Sequence, residues 1–113
     1  EGGILMSERK VLKVIQVEKF LKYIRKKRVW VCFVCGGVDI HMICNKIDDV
    51  GTETNGIVKG IGFFGNESHV ELRQECHEVR RIEFRPGDKE RAYEMIFDNT
   101  NVFVSENPEL YGH

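Results

Sequence analysis

Alanine is almost missing from this chain, with Ala92 its single occurrence. The apolar material is instead β-branched and aromatic, which favours sheet over a helical bundle. Long hydrophobic runs are missing too. The most apolar stretch, 29–35, has a buried strand's length and falls far short of the roughly 18–20 residues of a membrane span. No signal-peptide layout is read, so no membrane is expected and the expected location is intracellular, cytoplasmic or nuclear. Cysteine is sparse for a secreted disulfide scaffold: Cys32, Cys35, Cys44 and Cys76 are four in 113 residues. Three of them lie in apolar surroundings, where a reduced thiol behaves as a small hydrophobe. A net charge of one sign is also lacking, since the formal total is −1. The halves differ, however. Residues 1–50 carry 10 Lys/Arg against 6 Asp/Glu, and residues 51–113 carry 7 against 12. A polyanion partner is not implied by the total, but a local basic face is compatible with it.

What is present reads as one α+β domain over 6–104, with a polar tail at 105–113. Met6-Ser7-Glu8 resembles a natural start, and 1–5 is expected to be an appended remnant. Hydrophobic residues make up 42% and charged residues 31%, the balance of a folded chain. Val17, Phe20, Leu21 and Ile24 fall on one stripe, so 17–27 is expected to form an amphipathic helix. The stretch 11–16 reads as a strand or a differently oriented helical turn. Two apolar runs, 29–35 and 38–44, flank Gly36-Gly37, the pattern of a β-hairpin with a two-residue turn. That register places Val29, Val31, Phe33 and Cys35 with Val38, Ile40, Met42 and Cys44 on one core face. Trp30, Cys32, Val34, Asp39, His41 and Ile43 occupy the other face.

Residues 48–56 read as a polar loop and 57–64 as a strand, with Gly60 and Gly62 open to a close backbone approach. Ser68-x-x-Glu71 is a capping-box pattern, and Leu72, Cys76, Val79 and Ile82 suggest a helix over 68–81. Val70 and Leu72 also alternate as a strand would. A short strand at 82–84 and a last helix over 89–97, capped by Asp88, complete the expected architecture. It is an antiparallel sheet packed by an N-terminal and a C-terminal helix, with a ferredoxin-like order as a specific variant.

Five patterns carry candidate chemistry. Cys32-x2-Cys35-x5-His41-x2-Cys44 is similar to the opening of a retroviral-type zinc knuckle, with one residue too many before His41 and two too few after it. Within the hairpin, Cys32 and Cys35 point to opposite faces and cannot share an ion, so no structural metal and no cofactor is expected. Glu75-Cys76-His77-Glu78, with His69 and His41 elsewhere in the chain, offers a thiol and candidate bases, but adjacent side chains such as Cys76 and His77 diverge. Asp48, Asp49 and Glu53 fit the alternate spacing of a calcium loop poorly. Gly60-x-Gly62-x-x-Gly65 has the letters of a dinucleotide fingerprint, yet its glycines fall within a strand. Finally, Lys22, Tyr23, Arg25, Lys26, Lys27, Arg28 and Trp30 form a basic, aromatic-bearing segment. Cations there would neutralise phosphates and rings would stack on bases, or Trp30 with Val34 and Ile43 would anchor a protein.

The functional expectation is a small non-enzymatic binding or regulatory module, recognising a protein partner, RNA or single-stranded DNA. A sheet edge or the Trp30 face would seat a homodimer. A cysteine- or histidine-dependent hydrolase or transferase and a small zinc-binding domain are the alternatives.

Overall fold

The computed structural model describes residues 9–51, 53–54, 57–85, 87 and 89–111. The remnant expected at 1–5 and the capping role expected of Asp88 lie outside them. The chain is mostly β, with two antiparallel sheets and one α-helix. This overturns the α+β expectation, its ferredoxin-like variant and its C-terminal helix. β1 (Lys10–Ile15) leads directly into α1 (Val17–Ile24), followed by the hairpin of β2 (Val29–Cys35) and β3 (Val38–Cys44). β4 (Lys46–Asp49) and β5 (Glu53–Thr54) precede β6 (Ile57–Phe64) and β7 (His69–Glu75). β8 (Glu78–Glu83), β9 (Ala92–Ile96) and β10 (Asn101–Ser105) follow, and a short 3-10 turn spans Pro108–Leu110.

The larger sheet runs in the order β1-β8-β9-β10-β2-β3, and in the smaller one β6 lies between β7 and the β4 and β5 segments. Two bends carry the chain between them. At Asn45, β3 becomes β4, and the Asn45 amide donates to the Phe64 carbonyl at 2.7 Å, extending the β4–β6 ladder. At Cys76–His77, β7 becomes β8, and the His77 amide donates to the Ile96 carbonyl at 2.8 Å, extending the β8–β9 ladder. Backbone pairing therefore continues through both bends, leaving few orphan groups where the direction changes.

The principal core lies between the sheets. Val29, Val31, Phe33, Val79, Tyr93, Met95, Val102 and Val104 from the larger sheet meet Ile47, Ile61 and Phe63 from the smaller one. α1 contributes Phe20, Leu21 and Ile24, the stripe expected from its sequence, and all three are buried. The turn after the helix is tied to β4, because the Ile47 amide donates to the Arg25 carbonyl at 3.0 Å. Each large apolar side chain removed from water here contributes ~1.5–3 kcal/mol.

The hairpin forms in the expected register, with Val29 opposite Cys44, Val31 opposite Met42, Phe33 opposite Ile40 and Cys35 opposite Val38. Gly36 and Gly37 take φ of 57° and 80°, the left-handed angles that such a turn requires. Its tip nevertheless projects past the core. Val38 and Ile40 are 56% and 54% exposed, so the apolar face is buried only at its base.

The helix expected over 68–81 is β7, the Cys76–His77 bend and the start of β8. The Gly65 amide donates to the Ser68 carbonyl at 2.8 Å, so this serine closes the β6–β7 turn. The apparent helical stripe arose because the bend resets the two-residue alternation between Leu72 and Val79. The helix expected over 89–97 is β9, with Tyr93 and Met95 in the principal core and Ala92 in a second cluster. Both faces of β9 are covered, and a strand covered twice loses its apolar-polar alternation. The polar loop expected at 48–56 contains the end of β4 and all of β5, and Val102-Phe103-Val104 belongs to the interior strand β10.

The close approach expected at β6 is real. Gly60, at φ 95°, faces Gly51, and a Cβ on Gly51 would collide with the Lys59 carbonyl oxygen. Backbone meets backbone there, with no flexible side chain to yield. Gly51→Ala is therefore expected to destabilise the fold by about 3 kcal/mol or more in chemical denaturation. Phe63→Ala, which empties the centre of the core, should cost about 3–5 kcal/mol in the same measurement.

Candidate functional site

The basic segment follows directly from the amphipathic pattern of α1. Its apolar stripe faces the core, so Lys19, Lys22 and Lys26, spaced three and four apart, run along the solvent side with Arg28 beyond them. Lys22, Lys26 and Arg28 are exposed and form no ion pair among the described residues. Arg25 and Lys27 are engaged: an Arg25 Nη2 lies 3.2 Å from Asp48 Oδ2, and Lys27 Nζ lies 3.9 Å from Glu106 Oε1. Tyr23 is 43% exposed, but its hydroxyl donates to Glu106 and Lys27 lies over its ring at 4.7 Å. Trp30 is elsewhere. It is buried on the outer face of the larger sheet, stacked on Tyr111 with ring centroids 3.9 Å apart. Val34 and Ile43 are half-buried in the same cluster.

Glu106 organises what surrounds Tyr23. It accepts hydrogen bonds from the Tyr23 and Tyr93 hydroxyls, the latter at 2.6 Å. Burial, followed by the bond to Glu106, raises the Tyr93 pKa. Sequence reading missed Glu106 because it lies in what looked like a polar tail.

A second group stands on the outer face of the hairpin. Cys32 pairs with His41 across the strands, and Asp39 stands two residues before His41 on the same face of β3. Donor atoms of Cys32, Asp39 and His41 lie within 4.8 Å of one another. Cys32 is buried, whereas Asp39 and His41 are exposed. Burial, with a smaller contribution from Asp39, pushes the Cys32 thiol up to about 12. A nucleophilic cysteine needs the opposite shift, so this trio does not read as a hydrolase centre. The zinc-knuckle quartet is divided: Cys44 is buried in the principal core, and Cys35 is exposed on that same face of the hairpin. Asp39 was absent from the sequence-based ligand set, although the hairpin register already placed it beside Cys32 and His41.

The remaining candidates do not converge. Cys76 is buried at the second bend, and burial raises its thiol to about 12. His77 faces away from it, with Nε2 on Asp98 Oδ1 and Nδ1 3.5 Å from Glu75. His69 stacks on Phe64 with centroids 4.6 Å apart. Asp48 is paired with Arg25 and Lys46, while Asp49 accepts the Gly51 amide at 2.8 Å, so both carboxylates already have partners. Gly60 and Gly62 lie within β6, and no helix follows them as a dinucleotide fold requires. No helix is long and apolar enough to cross a membrane among the described residues.

The His77–Asp98 contact yields a pH prediction. The hydrogen bond to Asp98 raises the His77 pKa above its ordinary 6.5. A raised folded value means that the stabilisation is complete below the unfolded value and fades as pH rises through the folded one. Thermal unfolding should show wild type exceeding His77→Gln most below about pH 6, with the gap closing on the alkaline side. A gap independent of pH would count against this assignment.

Comparison with family models, with curated proteins and with solved structures finds no match to this chain.

Proposed function

We propose that this chain is a non-enzymatic protein-recognition module that takes an extended, acidic segment of its partner along β1 and the basic side of α1. One observation carries the reading. These consecutive elements and the turn after them expose Lys10, Lys13, Lys19, Lys22, Lys26 and Arg28, none ion-paired among the described residues. Val11, Leu12 and Val14 are exposed among them at 43%, 42% and 63%. β1 ends the larger sheet, and among the described residues no strand pairs with its outer edge, which can take an added strand. Cations around a small apolar strip suit a partner that alternates acidic and apolar residues.

The charge pattern argues against a second copy at this edge, because pairing two β1 strands would bring lysines together. It also favours protein over RNA or single-stranded DNA. Trp30, the ring best suited to stack on a base, is buried, and Tyr23 is held by Glu106 and covered by Lys27. Phosphate contacts alone would remain for a nucleic acid.

A fluorescent peptide of alternating glutamate and valine, titrated at two salt concentrations, tests the proposal. Binding should weaken as salt rises and fall roughly tenfold or more in Lys22→Glu/Lys26→Glu. Labelled RNA and DNA oligonucleotides form the comparison arm. Tight, steeply salt-dependent oligonucleotide binding with none to the peptide would overturn the protein reading in favour of a polyanion.

A further inference from the structure

The geometry points to a binding site for a divalent transition-metal ion of the zinc type on the outer face of the β2–β3 hairpin, with Cys32, Asp39 and His41 as its ligands. The site lies at the opposite edge of the larger sheet from β1, so it stands independently of the recognition surface.

The pleat of the hairpin decides which side chains meet. Residues two apart on a strand project from the same face, and the directly opposite residue on the neighbouring strand joins them. Asp39 and His41 are two apart on β3, and Cys32 faces His41 from β2. Their donor atoms already fall within 4.8 Å of one another. Tetrahedral ligands at zinc bond lengths stand roughly 3.3–3.6 Å apart, so modest side-chain rotation closes the set. Two of the three can rotate, because Asp39 and His41 are exposed.

The donors are also uncommitted. Neither the Asp39 nor the His41 side chain has a hydrogen bond or ion pair among the described residues, whereas His69 and His77 both face carboxylates. One thiolate, one imidazole and one carboxylate make a borderline-soft set suited to zinc or cobalt and poorly suited to calcium or magnesium. Three protein ligands leave a fourth position for water or an incoming group. Asp39 and His41 open that position to solvent, while Cys32 anchors the ion at the sheet surface. Binding replaces the Cys32 sulfur–hydrogen bond with a sulfur–metal bond and releases one proton to solvent.

Trp30, the chain's single tryptophan, supplies a local reporter. Its ring lies 5.4 Å from that of His41, edge to face at 70°. The test is a titration of the reduced full chain with cobalt(II), read by the thiolate-to-cobalt charge-transfer absorption and by quenching of Trp30 fluorescence. One equivalent is expected to bind, with both signals saturating together and zinc displacing cobalt. Asp39→Asn and His41→Ala, both at exposed positions, should each weaken binding roughly tenfold or more. Cys32→Ser should abolish the charge-transfer band, and Cys35→Ser should leave both signals unchanged. Absence of saturable binding would overturn the proposal. So would affinity indifferent to Asp39 and His41, or a thiolate band that survives Cys32→Ser.

Discussion

Glu94 is fully buried near the middle of the larger sheet, and the packing around it depends on keeping that carboxylate satisfied. A buried, unpaired carboxylate is costly enough to forbid the arrangement. Arg9 donates to one oxygen at 2.8 Å and Asn101 to the other at 2.6 Å. With the charge compensated, the outer face of the sheet can be covered as well as the inner one. Trp30, Cys32, Ile82, Ala92 and Phe103 form a second cluster there, with Val34, Ile43, Phe84 and Tyr111 packed against it. β2, β9 and β10 thus have protein on both sides, and this two-sided burial withholds Trp30 from solvent.

The same constraint separates the legible parts of the fold from the illegible ones. The hairpin could be read to the residue, because Gly36-Gly37 marks the turn and its two faces differ in composition. α1 was legible from its single apolar stripe, since only one face of it is buried. β9 was not legible. With Tyr93 and Met95 on one covered face and Ala92 and Glu94 on the other, its periodicity carries no clear signal, and neighbouring apolar residues imitate a helix. β7 and β8 failed for another reason, as a two-residue bend between strands shifts the phase and brings Leu72, Cys76 and Val79 to helical spacing. Central strands and bends are where tertiary context outweighs local pattern.

Sites were legible as residue types but not as partnerships. The basic run of 22–28 is plain in the sequence, yet which of its cations are ion-paired among the described residues depends on Asp48 and Glu106, which fold back from distant positions. The hairpin register contained everything needed to place Asp39 beside Cys32 and His41. Attention to cysteine-histidine spacing hid it, because spacing along the chain weighs a carboxylate less heavily than a thiol. Cross-strand position was the better guide to which donors meet.

The pairing of β2 with β10 has a consequence for how the chain reaches this structure. Phe33 lies opposite Val102 and Val31 opposite Val104, so segments from the first third and the final stretch of the sequence are neighbours. The β6–β7 and β8–β9–β10 meanders close short loops and can form locally, but β2 must wait for the chain between to be gathered in. The entropy of closure falls on two non-local ladders, this one and β1–β8, and such topologies fold in roughly the millisecond-to-second range. Until β10 arrives, the hairpin presents Val31 and Phe33 along an open edge. The folding chain is therefore most prone to self-association in the interval before β10 docks.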